Sequence, residues 1–328
     1  MGLKSNRVAT IDLDILQAQR LLEAGEVVAI PTETVYGLAG NAYNGAAVGK
    51  IFGIKQRPSS DPLIVHAGCM EQVKDFVRDF PAEAQQLAQH FWPGPLTLLL
   101  PKKAVISDLV TAGLPRVAVR IPNHTLTLRL LSTLSFPLAA PSANPFGYIS
   151  PTTPQHVQAQ LGSKIPYILS GGPCSIGIES TIVGFEHGRP LVYRLGGISI
   201  EAIEQVIGPT TVVSGTTTHL QVPGGLGHHY APQKLLIIGD IPTLIKQHSH
   251  QQLGILAFDQ YYGGVDRAYQ VMLAPSGRLE EAAQNLFAAL RQLDQPPIEL
   301  ILADCVPHVG LGRAINDRLK RASARFIG

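Results

Sequence analysis

Cysteine, charged residues and long apolar runs are all scarce in this sequence. Its 328 residues include three cysteines, Cys69, Cys174 and Cys305, which lie far apart and form no CxxC spacing. That number and spacing argue against a disulfide framework and against a zinc site. No apolar run approaches the roughly 18 residues of a membrane span, and the N-terminus lacks the pattern of a signal peptide. We therefore expect a soluble protein of the reducing cytoplasm.

Charged residues are few, and their signs nearly balance. Charged residues make up 15% of the chain, aromatic residues 6%, and the net charge is +2. This small excess is shared between the first 210 residues and the remainder, so neither part predicts a basic nucleic-acid surface. We interpret the basic residues near the end of the chain as a solvated helix face; they are Arg313, Arg318, Lys320, Arg321 and Arg325.

Alternating helical and extended segments predict an α/β protein with two domains. Helices are expected at 15–24, 46–54, 81–91, 126–134, 154–161, 200–207, 242–246, 279–293 and 312–324. Strands are expected at 27–30, 63–66, 96–100, 117–121, 137–140, 167–169, 181–185, 191–194, 235–238, 254–258, 270–273 and 298–303. We place a first domain at 1–208, a Gly/Pro/Thr-rich linker at 209–233 and a smaller, doubly wound, Rossmann-like domain at 234–328. A linker of this length without periodicity is uncommon unless it is functional or flexible.

The familiar nucleotide signatures are missing. Gly49 and Lys50 lack the preceding glycine and the following Ser or Thr of a P-loop, because Ile51 stands there. Gly310 and Gly312 lack the third small residue of a dinucleotide fingerprint. The sequence also has no HExxH motif and no GxSxG elbow.

Polar side chains instead gather at predicted strand ends. Pro31 ends a buried strand and exposes Thr32, Glu33 and Thr34 beyond it. Further clusters are Lys55 with Arg57, Arg116 with Arg120, Ser142 with Asn144, Ser150 with Thr152, Glu179 with Ser180, and Arg194. Each alone is compatible with a turn or a solvated surface. Arg116 and Arg120 lie four apart on one strand, so we expect both to face one groove. Together the clusters predict a groove for a phosphorylated or carboxylated ligand.

Eight sequence motifs occur in the same order as in a known family. They are PTETVYGLAGNA, K-x-RP followed by DPLIVH, WPGPLTLLL, RVAVRIP, APSAN, SPT, EST and RLGGIS. This order resembles the YrdC-like family, and HYAP with a second α/β domain resembles its long, two-domain threonylcarbamoyl-AMP synthases. The resemblance implies a twisted mixed sheet with helices and a concave groove.

The resemblance also implies an activity and its substrates. L-threonine, bicarbonate or carbon dioxide, and ATP with Mg²⁺ would form threonylcarbamoyl-AMP and pyrophosphate. The product would pass to a tRNA threonylcarbamoyl transferase that modifies the adenosine beside the anticodon. Whether this chain itself contacts tRNA stays open.

The family's site residues carry over onto matching positions. The L-threonine pocket would use Thr34, His66, Arg120, Ser180 and the backbone of Ala140. ATP would contact Arg57, Asp61, Arg116, Ser142, Ser150, Arg194 and, from the linker, Tyr230. Lys55, Arg57 and Arg194 would stabilise the charge that develops during the reaction. No metal ligand is assigned, and His66 and Glu33 are candidates for a general base.

Some positions depart from the family pattern. Asp61 stands where Asn or Lys is usual, and its carboxylate would repel phosphate unless Mg²⁺ intervenes. Phe146, Leu195 and His228 also differ. Asp61 keeps open the alternative of a regulatory relative without adenylate synthesis, and an RNA-binding module of the same fold is another. A carbamoyl transferase that matures metal centres would need zinc-finger cysteines, which this chain lacks.

The linker suggests a gate. Gly224, Gly225 and Gly227 are hinge candidates beside Tyr230. We therefore predict that residues 222–232 lie over the groove and control ATP entry and product exit.

Overall fold

A computed structural model describes residues 8–213, 222 and 230–323 of the chain. Its helices in these ranges are α1 (Ile15–Glu23), α2 (Gly45–Lys55), α3 (Met70–Phe76), α4 (Ala82–Phe91), α5 (Asp108–Thr111), α6 (Thr125–Thr133), α7 (Pro154–Leu161), α8 (Ile200–Ile207), α9 (Ile241–Gln247), α10 (Leu279–Leu293) and α11 (Gly312–Ser323).

The strands are β1 (Thr10–Asp12), β2 (Val28–Ile30), β3 (Gly37–Asn41), β4 (Ile64–His66), β5 (Leu96–Pro101), β6 (Arg116–Arg120), β7 (Leu138–Ala139), β8 (Tyr167–Leu169), β9 (Thr181–Glu186), β10 (Arg189–Arg194), β11 (Thr211–Val212), β12 (Leu235–Ile238), β13 (Leu253–Ala257), β14 (Gln270–Met272) and β15 (Leu300–Ala303).

The first sheet is mixed and runs β1-β8-β2-β3-β7-β4-β6-β5-β9-β10-β11. Strands β4 and β6 are parallel, with His66 beside Arg120 at their carboxyl ends. Strand β6 is antiparallel to β5, and β5 is parallel to β9, with Leu96 beside Thr181 at their starts. Strand β10 is antiparallel to β9, so that Arg194 pairs with Ile182. The polar strand ends therefore meet at one edge of the sheet.

The second sheet contains four parallel strands in the order β12-β15-β13-β14. Helix α10 packs against β13 and β14, and α11 packs against β12. A mixed twisted sheet followed by a small parallel α/β unit confirms the predicted fold class. Among the described residues, no helix is long and apolar enough to cross a membrane.

Strand β3 had no counterpart among the predicted strands. Its sequence, GLAGN, contains two glycines, and glycine lowers the intrinsic preference for a strand. A Cβ on Gly40 would lie 3.3 Å from Ile51 Cδ1 and 3.5 Å from the Ala47 carbonyl oxygen. The small residue thus lets α2 pack closely on the sheet, a tertiary requirement that local sequence does not reveal.

The two sheets share apolar contacts. Val35, Ile149 and Ile178 of the first part belong to one buried cluster with Phe287 and Leu290 of α10. At this contact the backbone at residue 177 approaches α10 closely: a Cβ on Gly177 would lie 2.5 Å from the Gln284 Cα atom.

Gly177→Ala is expected to lower the melting temperature more than Gly188→Ala. Both glycines have positive φ, +81° and +73°, so both substitutions impose backbone strain of roughly 1 kcal/mol. Only the methyl group at 177 meets another backbone, because nothing lies within 4 Å of a Cβ at 188. Thermal unfolding monitored by circular dichroism measures the difference. Equal shifts for the two variants would contradict close contact between the loop and α10.

Candidate functional site

A cavity of about 50 Å³ lies at the polar edge of the first sheet. Its walls are formed by Thr32, Thr34, Val35, Gly37, Arg57, Ile64, His66, Arg120, Ala140, Pro141, Ser142, Glu179, Ser180, Arg194 and Tyr230. Three guanidinium groups and one carboxylate therefore share a single buried space. The predicted residues that line it are Thr34, Arg57, His66, Arg120, Ala140, Ser142, Ser180, Arg194 and Tyr230.

Arg120 ends β6 and is only 3% exposed. Its Nε donates to the Gly94 carbonyl at 3.1 Å, and its Nη1 donates to Thr34 Oγ1 at 2.8 Å. Its Nη2 lies 2.6 Å from Glu33 Oε1. These three contacts fix the plane of the guanidinium at the cavity wall, which suits recognition of a carboxylate.

A hydroxyl turn shapes the loop after β2. Thr32 Oγ1 accepts from the backbone N–H groups of Thr34 and Val35 and donates to the Val35 carbonyl. It also lies 2.8 Å from Thr34 Oγ1. Because Pro31 ends the strand, this side-chain turn satisfies backbone groups that the ladder leaves unpaired. The turn places Thr34 on the cavity and Glu33 behind Arg120.

Arg194, at the end of β10, holds the start of β9. Its Nε and Nη2 donate to the Ser180 carbonyl at 3.1 and 2.9 Å, and Nη2 also donates to Ser180 Oγ at 3.0 Å. The Ser180 hydroxyl lies 2.7 Å from Thr97 Oγ1 as well. Burial lowers the pKa of Arg194 to about 10, so the group is charged at neutral pH.

Arg57 is held by the loop that precedes β4. Its Nε donates to the Asp61 carbonyl at 3.0 Å, and Nη2 donates to the Pro62 carbonyl at 2.8 Å. Nη2 also lies 2.9 Å from Asp61 Oδ1, and the Phe146 ring packs 5.8 Å from the guanidinium carbon. Asp61 does not line the cavity, but its carboxylate pairs with Arg57, which does.

Lys55 is placed differently from the sequence expectation. Its ammonium donates to the carbonyl oxygens of Ser142 and Asn144 at 2.5 and 2.6 Å, and the side chain is 1% exposed. Burial, followed by the neighbouring Arg57, lowers its pKa well below the usual range. Lys55 therefore anchors the loop that carries Ser142, and it is not among the cavity-lining residues.

His66 lies at the end of β4 beside Arg120. Burial, reinforced by the charge of Arg120, lowers its pKa to about 3. The imidazole is consequently neutral at physiological pH and offers the cavity an uncharged polar surface.

The far side of the cavity is built from both parts of the chain. Glu179 accepts from Ser150 Oγ at 2.6 Å and from Arg318 Nε at 2.8 Å. The centre of the Tyr230 ring lies 4.9 Å from the Arg318 guanidinium carbon and 5.6 Å from the centre of the Phe287 ring. The expectation that Arg318 lies on a solvated helix face is wrong, because this side chain is fully buried.

Arg116 and Arg120 line different depressions in this structure, and the expectation that both face one groove stays a prediction. Four residues along a strand span about 13 Å. Arg116, at the other end of β6, lies 3.3 Å from Glu186 Oε1 and donates to the Tyr193 hydroxyl at 3.2 Å. It lines a separate depression with Asp79 and Glu83. Ser150 likewise lies behind Glu179, outside the cavity lining.

Sequence reasoning assigned no role to several groups that shape this site. Gly94 and Thr97 contact Arg120 and Ser180; both lie in the motif WPGPLTLLL, which contributed to the family resemblance without a site role being assigned to either residue. Arg318 lies in a run of basic residues whose pattern is typical of an exposed face. Its burial depends on contact of α11 with the segments at Glu179 and Leu195, which local periodicity does not report.

Comparisons with known proteins cover nearly the whole chain. A family model described as telomere recombination, and named for Sua5, YciO and YrdC, matches residues 20–196. A second, described as the threonylcarbamoyl-AMP synthase C-terminal domain, matches residues 198–324. Threonylcarbamoyl-AMP synthase of Bacillus subtilis is 41% identical over 97% of this chain and 95% of the relative. The chain belongs to the threonylcarbamoyl-AMP synthase family.

Other members of the threonylcarbamoyl-AMP synthase family agree in both sequence and structure. The Pyrococcus abyssi protein is 39% identical over 94% of each chain. A crystal structure of P. abyssi Sua5 complexed with L-threonine matches with a TM-score of 0.88, at 36% identity, over 96% of this chain and 97% of that one. Both sheets of this threonylcarbamoyl-AMP synthase family member therefore belong to the shared fold.

His66→Asn is expected to make this family member less sensitive to acid. A histidine with a pKa of about 3 in the fold and about 6.5 when unfolded binds its proton only in the unfolded chain between those values. Stability is thus fully present above pH 6.5 and is lost as the pH falls towards 3, by up to about 1.4 kcal/mol per pH unit. Urea unfolding between pH 6 and pH 4 measures the slope. Parallel slopes for the variant and the parent would contradict the neutral, buried imidazole.

Proposed function

We propose that this chain is an L-threonylcarbamoyladenylate synthase, a nucleotidyltransferase that joins L-threonine, bicarbonate or carbon dioxide, and ATP. The observation that carries the proposal is the convergence of Arg57, Arg120 and Arg194 on one cavity that also presents the hydroxyls of Thr34 and Ser180. An amino acid and a nucleoside triphosphate both bring anionic groups to such a cavity. Membership of the threonylcarbamoyl-AMP synthase family favours this reaction over an RNA-binding or regulatory role.

The threonine half of the site is proposed around Arg120. Its fixed fork suits the substrate carboxylate, while Thr34 and Ser180 offer hydroxyls to the ammonium and side-chain hydroxyl. Neutral His66 adds a polar contact without a competing positive charge. Ala140 would contribute its backbone carbonyl. Its N–H already donates to the Ile64 carbonyl, and its methyl group faces Gly37. A relative of this chain has been solved with L-threonine bound.

The nucleotide half is proposed around Arg57, Arg194 and Ser142. The neutral threonine amine attacks carbon dioxide and loses a proton, or attacks bicarbonate with loss of water, to form a carbamate. A carbamate oxygen then attacks the α-phosphorus while the bond from that phosphorus to pyrophosphate breaks. Negative charge grows on the phosphate oxygens, and preorganised cations stabilise it. We assign Lys55 to positioning of the Ser142 loop and Asp61 to orientation of Arg57. Arg116 is left outside the proposed site because Glu186 and Tyr193 engage it elsewhere.

Mg²⁺ is proposed to arrive as part of the ATP complex. The acidic groups nearest the cavity already have cationic partners: Glu33 is paired with Arg120, Asp61 with Arg57, and Glu179 with Arg318. Mg²⁺ commonly retains several waters and binds substrate phosphates, so we propose that the phosphates and water hold the ion and that Glu179 stays paired with Arg318. The ion supplies charge neutralisation to the phosphates.

Nucleotide entry is proposed to require opening of the linker wall. Pockets for ligands of this size measure about 300 to 1,000 Å³, and the cavity here is about 50 Å³. Tyr230 forms part of its wall, and Val222 packs with Ile64 and Tyr193 of the first sheet. Within the predicted gate at 222–232, Val222 therefore packs on the first sheet and Tyr230 forms cavity wall, while residues 223–229 lie outside the described part of the chain.

The proposed product serves tRNA modification. Threonylcarbamoyl-AMP would be transferred to the adenosine beside the anticodon by a separate tRNA threonylcarbamoyl transferase. We place this reaction in the cytoplasm, where ATP, L-threonine and tRNA are available together.

The proposal predicts pyrophosphate release that depends on L-threonine. The purified chain is incubated with ATP, Mg²⁺ and bicarbonate, with and without L-threonine, and the nucleotide products are weighed by mass spectrometry. We expect release only with threonine, together with the mass of threonylcarbamoyl-AMP. Serine and valine serve as controls for the hydroxyl and the methyl group of the substrate. A folded chain that binds ATP and forms no adduct would overturn the proposal.

Charge-conserving arginine variants should separate the two halves of the site. Arg120→Lys is expected to raise the KM for L-threonine about tenfold or more, because lysine cannot make the forked contact. Arg194→Lys is expected to lower kcat by a similar factor while threonine KM changes little. Exposed Arg129→Lys and Arg189→Lys are matched controls, the latter on the same strand as Arg194. Steady-state kinetics measure the four variants, and equal effects at 194 and 189 would refute the assignment.

A further inference from the structure

Arg318 is a buried charge that the proposed reaction does not use. It belongs to α11, beside the second sheet, and is the largest fully buried side chain among the described residues. A buried ion pair contributes little reliable stability, because desolvation offsets its attraction. The desolvation cost of burying Arg318 therefore calls for an explanation other than stability.

Two of its three guanidinium nitrogens bind the first part of the chain. Nε donates to Glu179 Oε2 at 2.8 Å, and Nη2 donates to the Leu195 carbonyl at 2.8 Å. Nη1 donates to its own neighbour, Asp317, at 2.7 Å. Leu195 follows Arg194 directly, so Arg318 reaches across to two of the segments that form the cavity.

Glu179 is the partner that matters for an anionic ligand. Its carboxylate lines the same cavity as Arg57 and Arg194 and also accepts from Ser150 Oγ. An uncompensated carboxylate in a poorly screened cavity would repel the phosphates of a nucleotide. Arg318 supplies the compensating charge from behind the wall.

Tyr230 is held by the same side chain. The centre of its ring lies 4.9 Å from the Arg318 guanidinium carbon and 5.6 Å from the centre of the Phe287 ring. Both partners come from helices beside the second sheet. Tyr230, which forms cavity wall, is therefore positioned by groups outside the first sheet.

We propose that Arg318 is a positioning residue for the nucleotide: it neutralises Glu179 and fixes Tyr230, so that the second sheet unit completes the ATP site. This inference rests on the proposed function and adds a residue to it. Arg318 itself is behind the wall and acts through Glu179 and Tyr230.

Another ion pair on the same helix provides a matched control. Arg313 lies 3.0 Å from Glu201 of α8, and both side chains are partly exposed. It also joins α11 to the first part of the chain, at the surface rather than behind the cavity. Arg313→Met therefore removes a tie between the two parts while leaving the charge balance of the cavity intact.

Substitution of the two members of the buried pair should affect ATP binding differently. Arg318→Met leaves Glu179 unpaired at the cavity, so the Kd for Mg·ATP should rise about 10- to 100-fold. Glu179→Gln removes the negative charge and keeps an acceptor for Ser150, so the Kd should stay within about threefold or fall. The double variant should recover most of the lost affinity. Calorimetric titration of the full chain with Mg·ATP, and separately with L-threonine, measures each variant.

A purely structural tie gives a different pattern. It predicts that Arg318→Met and Glu179→Gln weaken ATP binding alike, without recovery in the double variant, and that Arg313→Met resembles them. That pattern would overturn the inference. If Arg318→Met does not fold, Arg318→Lys and Glu179→Gln test the inference instead. Arg318→Lys keeps the charge and should bind Mg·ATP within about threefold of the parent. A tenfold weaker binding of Mg·ATP by Glu179→Gln would overturn the inference.

The outcome also separates this inference from the proposed function. Threonine-dependent pyrophosphate release by the parent tests the function alone. Release by the parent without rescue in the double variant would reject the role of Arg318 and leave the function standing.

Discussion

Buried guanidinium groups need compensating charges and acceptors, and this requirement organises the polar edge of the first sheet. An unpaired buried charge costs several kcal/mol. Arg120 is met by Glu33, Thr34 and the Gly94 carbonyl, and Arg57 by Asp61 and two carbonyls. The partners come from loops that start where strands end. Satisfying the arginines therefore fixes the loops, and the loops form the cavity.

The same requirement explains how a site can be basic and stable before a ligand arrives. Glu33 and Asp61 neutralise their arginines from outside the cavity lining, while the cationic faces of Arg57 and Arg120 line the cavity. Asp61, which departs from the usual Asn or Lys, gains a role here as the i+4 partner of Arg57. An anionic ligand then adds to an arrangement that is already oriented, so little reorganisation accompanies binding.

Sequence patterns predicted the parts of this fold that depend on local periodicity. Helices Ile200–Ile207 and Leu279–Leu293 and strand Tyr167–Leu169 match their expected bounds, because regular apolar spacing and clear end signals define them. The clustering of Thr34, Arg57, Arg120, Ser180 and Arg194 also followed from polar residues at strand ends. Motif order then supplied the family and the chemistry.

Features set by tertiary packing were not predictable in the same way. Segment Gly37–Asn41 has a low strand propensity and forms a strand because β2 and β7 pair with it. Arg116 and Arg120 lie at opposite ends of β6. Arg318 looks solvated in sequence and is buried by the approach of α11. The domain boundaries at 208 and 233 stay predictions, since the linker is largely outside the described residues.

The central claim is that Arg57, Arg120 and Arg194 form one anion site shared by two substrates. A crystal structure with L-threonine and a non-hydrolysable ATP analogue tests it most directly. The account predicts the threonine carboxylate on the Arg120 guanidinium and the nucleotide phosphates on Arg57 and Arg194. Phosphates bound elsewhere, for example in the groove beside Arg291 and Gln160, with the three arginines unengaged, would contradict it.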